Sequence, residues 1–377
     1  YPASGYRTND DGALDDVGYG GYSWSVTPLS NIAYYLFFNF LGSVYPSNDY
    51  YRANGFSVRC LQEGTGGGTG GGTDGGTEYD NDFSTSGARN LSDEGTANSY
   101  IVSSAGTYSI SPVKGNSSES IGSVASAEVL WETFGTDENV IKGNLISGAR
   151  YENGRIYFKT ADTYREGNAV IAAKDAAGTI LWSWHIWLTD QPQEQIYNNN
   201  AGTMLDRNLG ATSATPGDVG ALGLLYQWGR KDPFLGYSSV TKTTVAKSTI
   251  SWPSVVSTSS SVGTVDYTVA NPTTYITAFS SPYDWHYSSG DNTLWQSGKT
   301  IYDPCPAGYR VPDGGGSGVW SIAHGSSSSY IGTFDSINRG FDFSGDFGED
   351  ATIWYPCAGY RTYNDGSWSV MGHYGHY

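Results

Sequence analysis

Tyr1-Pro-Ala-Ser-Gly-Tyr-Arg-Thr-Asn-Asp-Asp-Gly12 recurs without a gap as Tyr355-Pro-Cys-Ala-Gly-Tyr-Arg-Thr-Tyr-Asn-Asp-Gly366. The register of the shared glycines holds to the end of the sequence, where Tyr377 aligns with Ser23. Self-similarity at a constant offset is the signature of a tandem array. We therefore expect one period plus an overlap of a repetitive polypeptide that continues beyond both ends. Two unrelated loops that share a motif are the alternative.

The composition is typical of an extracellular, β-rich interaction protein. The 377 residues include 51 Gly, 30 Tyr and 12 Trp but only 2 Met, a bias toward turns, strands and aromatic surfaces. The formal net charge of -17 argues against nucleic acid and anionic membranes as partners, because both are bound through basic patches. No run of eighteen or more apolar residues occurs, so no membrane insertion is expected in this segment.

The three cysteines, Cys60, Cys305 and Cys357, lie far apart and have no Cys or His at metal-binding intervals. A zinc site is therefore not expected. An odd number of cysteines in a secreted chain leaves one thiol unpaired or bonded to another chain. We expect this thiol to be Cys357, because its counterpart in the first copy of the repeat is Ala3.

A Gly/Thr tract without apolar side chains, residues 63–78, divides the chain and is typical of a linker. The predicted segments are residues 1–62, the linker, residues 79–199 and residues 200–377. Residues 1–62 end on a strand-like stretch that closes at Cys60. Because domains do not usually begin in this way, residues 1–62 are expected to be part of a fold completed elsewhere.

Residues 79–199 contain short strand patterns separated by Gly, Asn and Asp. The predicted strands are Ser99–Ser103, Gly106–Ser111, Ala127–Trp131, Arg155–Lys159, Ala169–Ala173 and Thr179–Leu188. Their spacing predicts an antiparallel sandwich of immunoglobulin-like size. Trp182, Trp184 and Trp187 have two interpretations, a platform that stacks on carbohydrate or packing in the core or an interdomain interface, and we favour packing.

Residues 200–377 contain two helix predictions. Gly220–Arg230 has Leu222, Leu225 and Trp228 roughly on one helical face and ends near Gly229. A short second helix is expected near Val319–His324. Between them lie long polar loops rich in Ser, Thr and Tyr, which are typical of functional or solvated insertions.

Five motifs carry a resemblance to a known family. They are Asp206-Arg-Asn-Leu-Gly210, Leu225-Tyr-Gln-Trp-Gly-Arg-Lys-Asp-Pro-Phe234, Asp303-Pro-Cys-Pro-Ala-Gly-Tyr-Arg-Val-Pro312, the Tyr355-Pro-Cys-Ala-Gly-Tyr-Arg361 element and Arg52-Ala-Asn-Gly-Phe-Ser-Val-Arg-Cys60. Together they resemble the major paralogous domain of Fibrobacter and Bacteroidetes surface proteins. That domain is similar to the C-type lectin and formylglycine-generating-enzyme fold, which also carries the variable proteins diversified by retroelements.

The resemblance implies a β-rich α+β chain, an immunoglobulin-like β-sandwich plus a C-type-lectin-like domain, in a tandem or polymeric array. Residues 1–62 then form the C-terminal part of one lectin-like domain, and residues 200–377 form the N-terminal part of the next. The resemblance also implies a disulfide between Cys60 and Cys305. The bond would join neighbouring units, or lie within the chain if its two parts fold back on each other.

No catalytic signature is present, so no enzyme activity is expected. A nucleophile elbow, a triad signature and a phosphate-binding Gly-rich loop are all missing from the sequence. His185 is expected to be packed, and the remaining histidines lie in loops: His286, His324, His373 and His376. The cysteine pair with which the formylglycine-generating relatives carry out oxidation is not evident.

No cofactor is expected, and calcium is the one ion considered. The acidic stretch 9–16 clusters carboxylates that suit this ion but does not fit an EF-hand. In the second copy, Ser369 and Val370 replace Asp15 and Asp16. We therefore favour a solvated turn over a metal site.

The aromatic stretch 33–41 is the main candidate for a binding surface. By resemblance, alternate side chains here point outward, and the expected surface is Tyr35, Phe37, Asn39, Tyr45, Asp49, Tyr50 and Tyr51. Aromatic and His positions that vary between the two copies extend it: Tyr19, Tyr22, Trp368, His373, Tyr374 and His376. Large exposed aromatic side chains mark recognition or assembly surfaces. The alternative is that the stretch is core.

These features predict an extracellular or cell-surface adhesin or fibre protein whose lectin-like domains bind protein or glycan without catalysis. The expected partners are neighbouring copies of the chain and a host or microbial surface protein or glycan. The alternative is a purely structural filament subunit in which the aromatic surface mediates assembly. An oxidative modifying enzyme is the least favoured hypothesis.

Overall fold

The computed structural model describes residues 6–7, 14–17, 20–30, 32–63, 79–242, 244–278, 283–288, 291–356 and 358–359, and for 6–7, 14–17 and 358–359 it describes the backbone only. The described chain is rich in β-strands, which form several sheets, and has few helices. Before the Gly/Thr tract, the strands are β1 (Tyr6–Arg7), β2 (Leu14–Val17), β3 (Gly20–Leu29), β4 (Ile32–Asn39), β5 (Ser43–Tyr51), β6 (Gly55–Phe56) and β7 (Leu61–Gln62).

The middle of the chain forms eight strands in two sheets. They are β8 (Arg89–Asn90), β9 (Ser99–Val102), β10 (Thr107–Ile110), β11 (Ser126–Thr133), β12 (Ile146–Glu152), β13 (Arg155–Thr160), β14 (Gly167–Lys174) and β15 (Ile180–Leu188). The strand orders are β12-β13-β10-β8 and β11-β14-β15-β9. Both sheets contribute to one hydrophobic cluster, in which Phe158 and Ile156 meet Ile171 and Trp184. This part is a two-sheet sandwich, and it contains all six predicted strands.

The prediction that this sandwich is antiparallel throughout is wrong at two edges. Strand β8 pairs with β10 in parallel, and β9 pairs with β15 in parallel. In chain order, β9 lies between β8 and β10 but belongs to the opposite sheet. Because no tight hairpin joins β8 to β10, the two strands are free to run in the same direction.

The last part of the chain contains short strands joined by long connections. The elements are β16 (Glu194–Tyr197), β17 (Gly202–Leu205), β18 (Tyr226–Gln227), β19 (Val256–Ser257), α1 (Val265–Ala270), β20 (Ile276–Thr277), β21 (Tyr309–Arg310), α2 (Val319–His324), β22 (Tyr330–Ile331), β23 (Phe334–Asp335), β24 (Gly340–Asp342), β25 (Trp354–Pro356) and β26 (Ala358–Gly359). Four 3₁₀ turns are described, at Leu91–Glu94, Asn198–Asn200, Val219–Ala221 and Gly315–Ser317.

The strands before the Gly/Thr tract are interleaved with those of the last part of the chain. Strand β7 lies between β17 and β21, and β6 pairs with β18. A disulfide joins Cys60 to Cys305, the pairing that the family resemblance implied. The structure therefore places the contact between residues 1–62 and 200–377 within a single chain.

The helix predicted over Gly220–Arg230 is wrong, whereas the short helix at Val319–His324 is confirmed. Gly223 and Gly229 have φ of 73° and 84°, in the left-handed region that interrupts an α-helix. Leu225 instead exchanges backbone hydrogen bonds with Phe234, across a tight loop. The apolar side chains with helical spacing, Leu222, Leu225 and Trp228, are buried but belong to an irregular segment of turns and short bridges.

The predicted tryptophans of the sandwich are packed. Trp182, Trp184 and Trp187 are at most 2% exposed, so no ring face is open to a sugar. The Trp187 indole donates to the Ala211 carbonyl at 2.9 Å, across the interface with the last part of the chain. The interpretation as core and interface residues is confirmed, and the carbohydrate platform is wrong.

Glu132 of β11 is fully buried in the sandwich, where its carboxylate accepts three backbone hydrogen bonds. The donors are the N–H groups of Gly143, Leu145 and Ile146, and the Tyr79 hydroxyl lies 3.3 Å away. Burial nevertheless raises the pKa of Glu132 to about 7. Between about pH 4.5 and pH 7, the Glu132 carboxyl is therefore protonated in the folded protein but ionised in the unfolded chain.

We expect Glu132 to make the protein less stable as the pH rises. The unfolded side chain titrates near pH 4.5, so its stabilising effect is complete below that pH. This contribution is lost as the pH rises from about 4.5 to above 7, which lowers the free energy of unfolding by about 3 kcal/mol in total. Urea unfolding across this range is the measurement. The Glu132→Gln variant cannot titrate and should lack this component, and identical pH profiles for the two proteins would contradict the assignment.

Candidate functional site

Strand β4 separates two hydrophobic clusters, because successive side chains of a strand point to opposite faces. Tyr35 packs in the first cluster, together with Trp24 of β3. Leu36 and Phe38 pack in the second, with Tyr355 of β25. The apolar run 33–41, which was predicted to be a binding surface, thus packs on both sides: Ala33, Tyr35, Leu36 and Phe38 are buried, and only Leu41 of the run is exposed.

The first cluster contains a set of aromatic rings in mutual contact. Ring centroids lie 5.1 Å apart for Tyr22 and Phe37, 4.9 Å for Tyr22 and Phe56, and 4.8 Å for Tyr35 and Phe56. Trp24 stacks on Phe56 at 4.1 Å. Such pairs attract each other beyond the effect of their buried area. Phe56 is fully buried, so it gives the surrounding rings a fixed support.

Four of the predicted binding residues form a partly exposed margin of this cluster, which we name the aromatic rim: Phe37, Tyr45, Tyr50 and Tyr51. Phe37 and Tyr45 are cross-strand partners, and their rings stack at 5.6 Å. The rings of Tyr50 and Tyr51 lie 5.2 Å apart. Tyr50 also stacks on Phe56 at 6.5 Å, which connects the rim to the buried rings.

Polar groups of the predicted surface have different roles. Asp49 is exposed, but its cross-strand partner is Tyr34, so it lies on the opposite face of the sheet from Phe37, Tyr45 and Tyr50. Asn48 donates to the Tyr35 hydroxyl at 2.8 Å. The Asn39 side-chain oxygen accepts from the backbone N–H groups of Leu41 and Ser43, so Asn39 shapes the turn between β4 and β5.

Two predicted surface residues, Tyr35 and Tyr22, are only 4% and 7% exposed, so the prediction that they project outward is wrong. The register of β4 against β5 shifts between Tyr35 and Phe37, which marks a β-bulge. The extra residue lies in β5, between Tyr45 and Asn48, so β4 keeps its alternation and Tyr35 points into the first cluster together with Ala33.

Tyr283 is a neighbour of the rim that the sequence analysis missed. Its ring lies 4.5 Å from the ring of Tyr51. The two residues belong to distant parts of the chain, which only the interleaving of the strands brings together. No local sequence signal marks this contact.

Several predictions fall on residues outside the described part of the chain. These are the binding residues Tyr19, Trp368, His373, Tyr374 and His376, together with residues 9–13 of the acidic stretch considered for calcium. Only the backbone of Asp15 and Asp16 is described. Among the described residues, no group of three or more His, Cys, Asp or Glu side chains is arranged to hold a metal ion.

His185 forms a buried network whose residue types resemble those of a nucleophilic triad. Its Nδ1 lies 2.8 Å from Ser99 Oγ, and its Nε2 lies 2.9 Å from Asn168 Oδ1. The Asn168 amide donates to the Gly210 carbonyl, which assigns Oδ1 as the acceptor facing His185. All three side chains are about 1% exposed, and burial lowers the pKa of His185 to about 3. The imidazole is neutral and inaccessible to a substrate. Through the bond from Asn168 to Gly210, the network joins the sandwich to the following segment.

The interface between the sandwich and the last part of the chain also contains buried charges. Lys231 donates to Asp232 at 2.7 Å and to Ser183 Oγ at 2.6 Å. Ser183 in turn donates to Asp232 at 2.6 Å. Because removal of one partner would leave a buried charge uncompensated, this triad favours a single relative position of the two parts.

No protein-family model, curated protein or solved structure matches this chain. None of the helices in the described ranges is long and apolar enough to cross a membrane.

Proposed function

We propose that this chain is a non-catalytic protein of the cell surface or extracellular space that binds a protein or glycan partner through the aromatic rim. The observation that carries the proposal is the continuous ring stack from the partly exposed Phe37 and Tyr45 to the fully buried Phe56. Aromatic side chains held in this way bind a partner with little loss of conformational entropy.

We infer that residues 20–62 and 202–356 form one C-type-lectin-like domain and that the sandwich is immunoglobulin-like. The interleaving of β6 and β7 with later strands supports the first inference, as does the Cys60–Cys305 bond. Two four-stranded sheets around one hydrophobic cluster support the second.

The chemistry of the rim suits a ligand with both flat apolar and hydroxyl-bearing faces. Three of the four rim residues are tyrosines, and tyrosine combines an apolar ring with a hydroxyl that both donates and accepts hydrogen bonds. A glycan or a polar protein loop has this character. An anionic ligand is not favoured, because the net charge of -17 would repel it.

The alternative function, a structural filament subunit, has an observation in its favour. Leu41 and Ile331 are 54% and 76% exposed and lie on either side of Gly42, at the turn between β4 and β5. Ile337, in the following hairpin, is 86% exposed. Exposed apolar side chains in one region are typical of interaction surfaces. In this alternative, these residues and the rim are covered by a neighbouring subunit.

The Tyr45→Ala/Tyr50→Ala variant tests the recognition proposal. We expect it to lose on the order of 2 kcal/mol of binding free energy toward whichever immobilised glycan or cell surface the unmodified chain binds, the scale of an interface hot spot. Tyr287→Ala is the matched control, because Tyr287 is 53% exposed and is not a rim residue. Circular dichroism checks that both variants fold.

The outcomes separate the two functions. Retained binding by the rim variant, or equal loss by the control, would contradict the proposal. Loss of self-assembly by the rim variant, with no ligand found for the unmodified chain on glycan arrays or cells, would favour the filament subunit.

A further inference from the structure

The two copies of the repeated sequence contribute to one hairpin. In β1 and β2, Tyr6 lies opposite Asp15. Extended by one pair, this register places Gly5 opposite Asp16. The residue that the structure places opposite Asp16 is Gly359, from the second copy. Gly359 is the counterpart of Gly5 in the repeat alignment.

The neighbouring positions follow the same rule. Ala358, the counterpart of Ser4, lies opposite Val17. Tyr355, the counterpart of Tyr1, pairs with Phe341 in the preceding strand. Among the described residues, the second copy thus supplies positions 1, 2, 4 and 5 of the element, and the first copy supplies positions 6, 7 and 14–17.

The second copy is anchored in the core through Tyr355. This side chain is fully buried, and its hydroxyl lies 2.5 Å from the Tyr197 hydroxyl and 3.1 Å from the Trp320 indole nitrogen. The Arg59 guanidinium covers its ring at 4.4 Å and donates to the Trp354 carbonyl. These contacts join the second copy to residues on both sides of the Gly/Thr tract.

The first copy is anchored through Gly21 and the rest of strand β3, to which Gly21 belongs. A Cβ added to Gly21 would lie 1.9 Å from the ring of Phe38, so this position requires glycine. The second copy also has glycine here, Gly375. The Trp24 indole, one residue beyond the repeat, donates to the Tyr226 carbonyl at 3.2 Å. The second copy therefore has glycine at the position of Gly21, where the packing of Phe38 leaves no room for a side chain.

We propose that this hairpin is an exchange joint between copies of the chain, in which residues 6–62 of one chain complete the 202–359 half of another. The contacts are those already described, formed between two chains instead of within one. The two copies of the repeat are equivalent in sequence. The backbone pairs that β2 forms with one copy can therefore be exchanged one at a time for pairs with the other copy, so no intermediate leaves many backbone groups unpaired. Head-to-tail exchange of this kind is heterologous, and it generates rings if the rotation between subunits closes and open filaments if it does not.

The lengths of the connections allow both closed and exchanged forms. The Gly/Thr tract 63–78 has the composition of a flexible linker, with an expected root-mean-square span of roughly 20 Å. The linker holds residues 6–62 near the 202–359 half of the same chain at an effective concentration in the millimolar range. Exchange with another chain must compete with this closure within one chain. We therefore expect exchange to increase steeply with protein concentration. The inference does not depend on which ligand the rim binds.

The first experiment tests the register of the joint, in the full chain carrying Cys357→Ala. The Val17→Cys/Ala358→Cys variant is expected to form a new disulfide on mild oxidation, and the matched Ser4→Cys/Val17→Cys variant is expected to remain unlinked. Mass spectrometry of proteolytic fragments identifies the bonds. Linkage in the Ser4 variant alone would overturn the inference, because the first copy would then complete its own hairpin.

The second experiment tests exchange between chains. The Cys357→Ala chain is unfolded, reduced and refolded under oxidation at increasing concentration, and is then separated on a non-reducing gel. Exchange should give a ladder of oligomers linked through Cys60 and Cys305, which collapses on reduction and is absent from a Cys60→Ala variant. Folded monomer alone at every concentration, with the Cys60–Cys305 bond formed, would overturn the proposal.

Discussion

Replacement of Cys60 and Cys305 by alanine is expected to lower the free energy of unfolding by about 5 kcal/mol. The bond joins residues 245 positions apart, so it closes a loop that contains the whole sandwich. In the chain-entropy model, cross-links across long loops constrain the unfolded chain most. Both cysteines are fully buried, which protects the bond from exchange with solvent thiols.

Chemical unfolding of the double alanine variant, compared with the unmodified chain, measures this effect. Cys357→Ala is the control and should leave the stability unchanged, because alanine already stands at the equivalent position in the first copy. Equal stability of the double variant and the unmodified chain would show that the interleaved strands hold the domain together without the cross-link.

Arg52→Ala is expected to lower the free energy of unfolding by about 3 to 5 kcal/mol, the usual effect of removing one partner of a buried ion pair. Arg52 is fully buried 3.7 Å from Asp284 and 4.2 Å above the Trp228 ring, and it donates to the carbonyls of Ser30 and Ile32. Burial already raises the pKa of Asp284 to about 6, and loss of the guanidinium would leave this carboxylate without its counter-charge.

Thermal and urea unfolding check this prediction, with Arg89→Ala as the matched control. Arg89 pairs with Glu94 on the surface, where both side chains are substantially exposed, so its removal should cost less than about 1 kcal/mol. An Arg52→Met/Asp284→Asn variant should recover part of the lost stability, because it removes both charges. A change of less than 1 kcal/mol for Arg52→Ala would contradict the role assigned to the pair.

Local patterns in the sequence were sufficient for six of the eight sandwich strands and for the helix α2, but they did not identify β8 and β12. In β13, alternate residues are buried, so the two-residue period of the sequence translates directly into structure. The helix α2 ends at Gly325 with φ of 80°, the usual C-terminal signal. The Cys60–Cys305 pairing came from the family resemblance, because nothing in the spacing of the cysteines selects it.

The errors arose where distant parts of the chain decide the conformation. The side chains of Leu222 and Leu225 have helical spacing, but the left-handed glycine between them directs the backbone into a loop against Leu209. Tyr35 follows the alternation expected of a strand, but its face of β4 packs against Phe56 and is therefore buried. Neither Gly223 nor Phe56 is identifiable as the deciding partner from the local sequence.

The position of the disulfide determines the path of a mechanical load through the domain. Tension that enters from the Gly/Thr tract at Glu63 reaches Cys60 within a few residues and then crosses a covalent bond to Cys305. Strands β3 to β6, which hold the aromatic rim, lie on the other side of Cys60 and outside this path. Tension applied through the tract would therefore leave the geometry of the rim unchanged for as long as the cross-link holds.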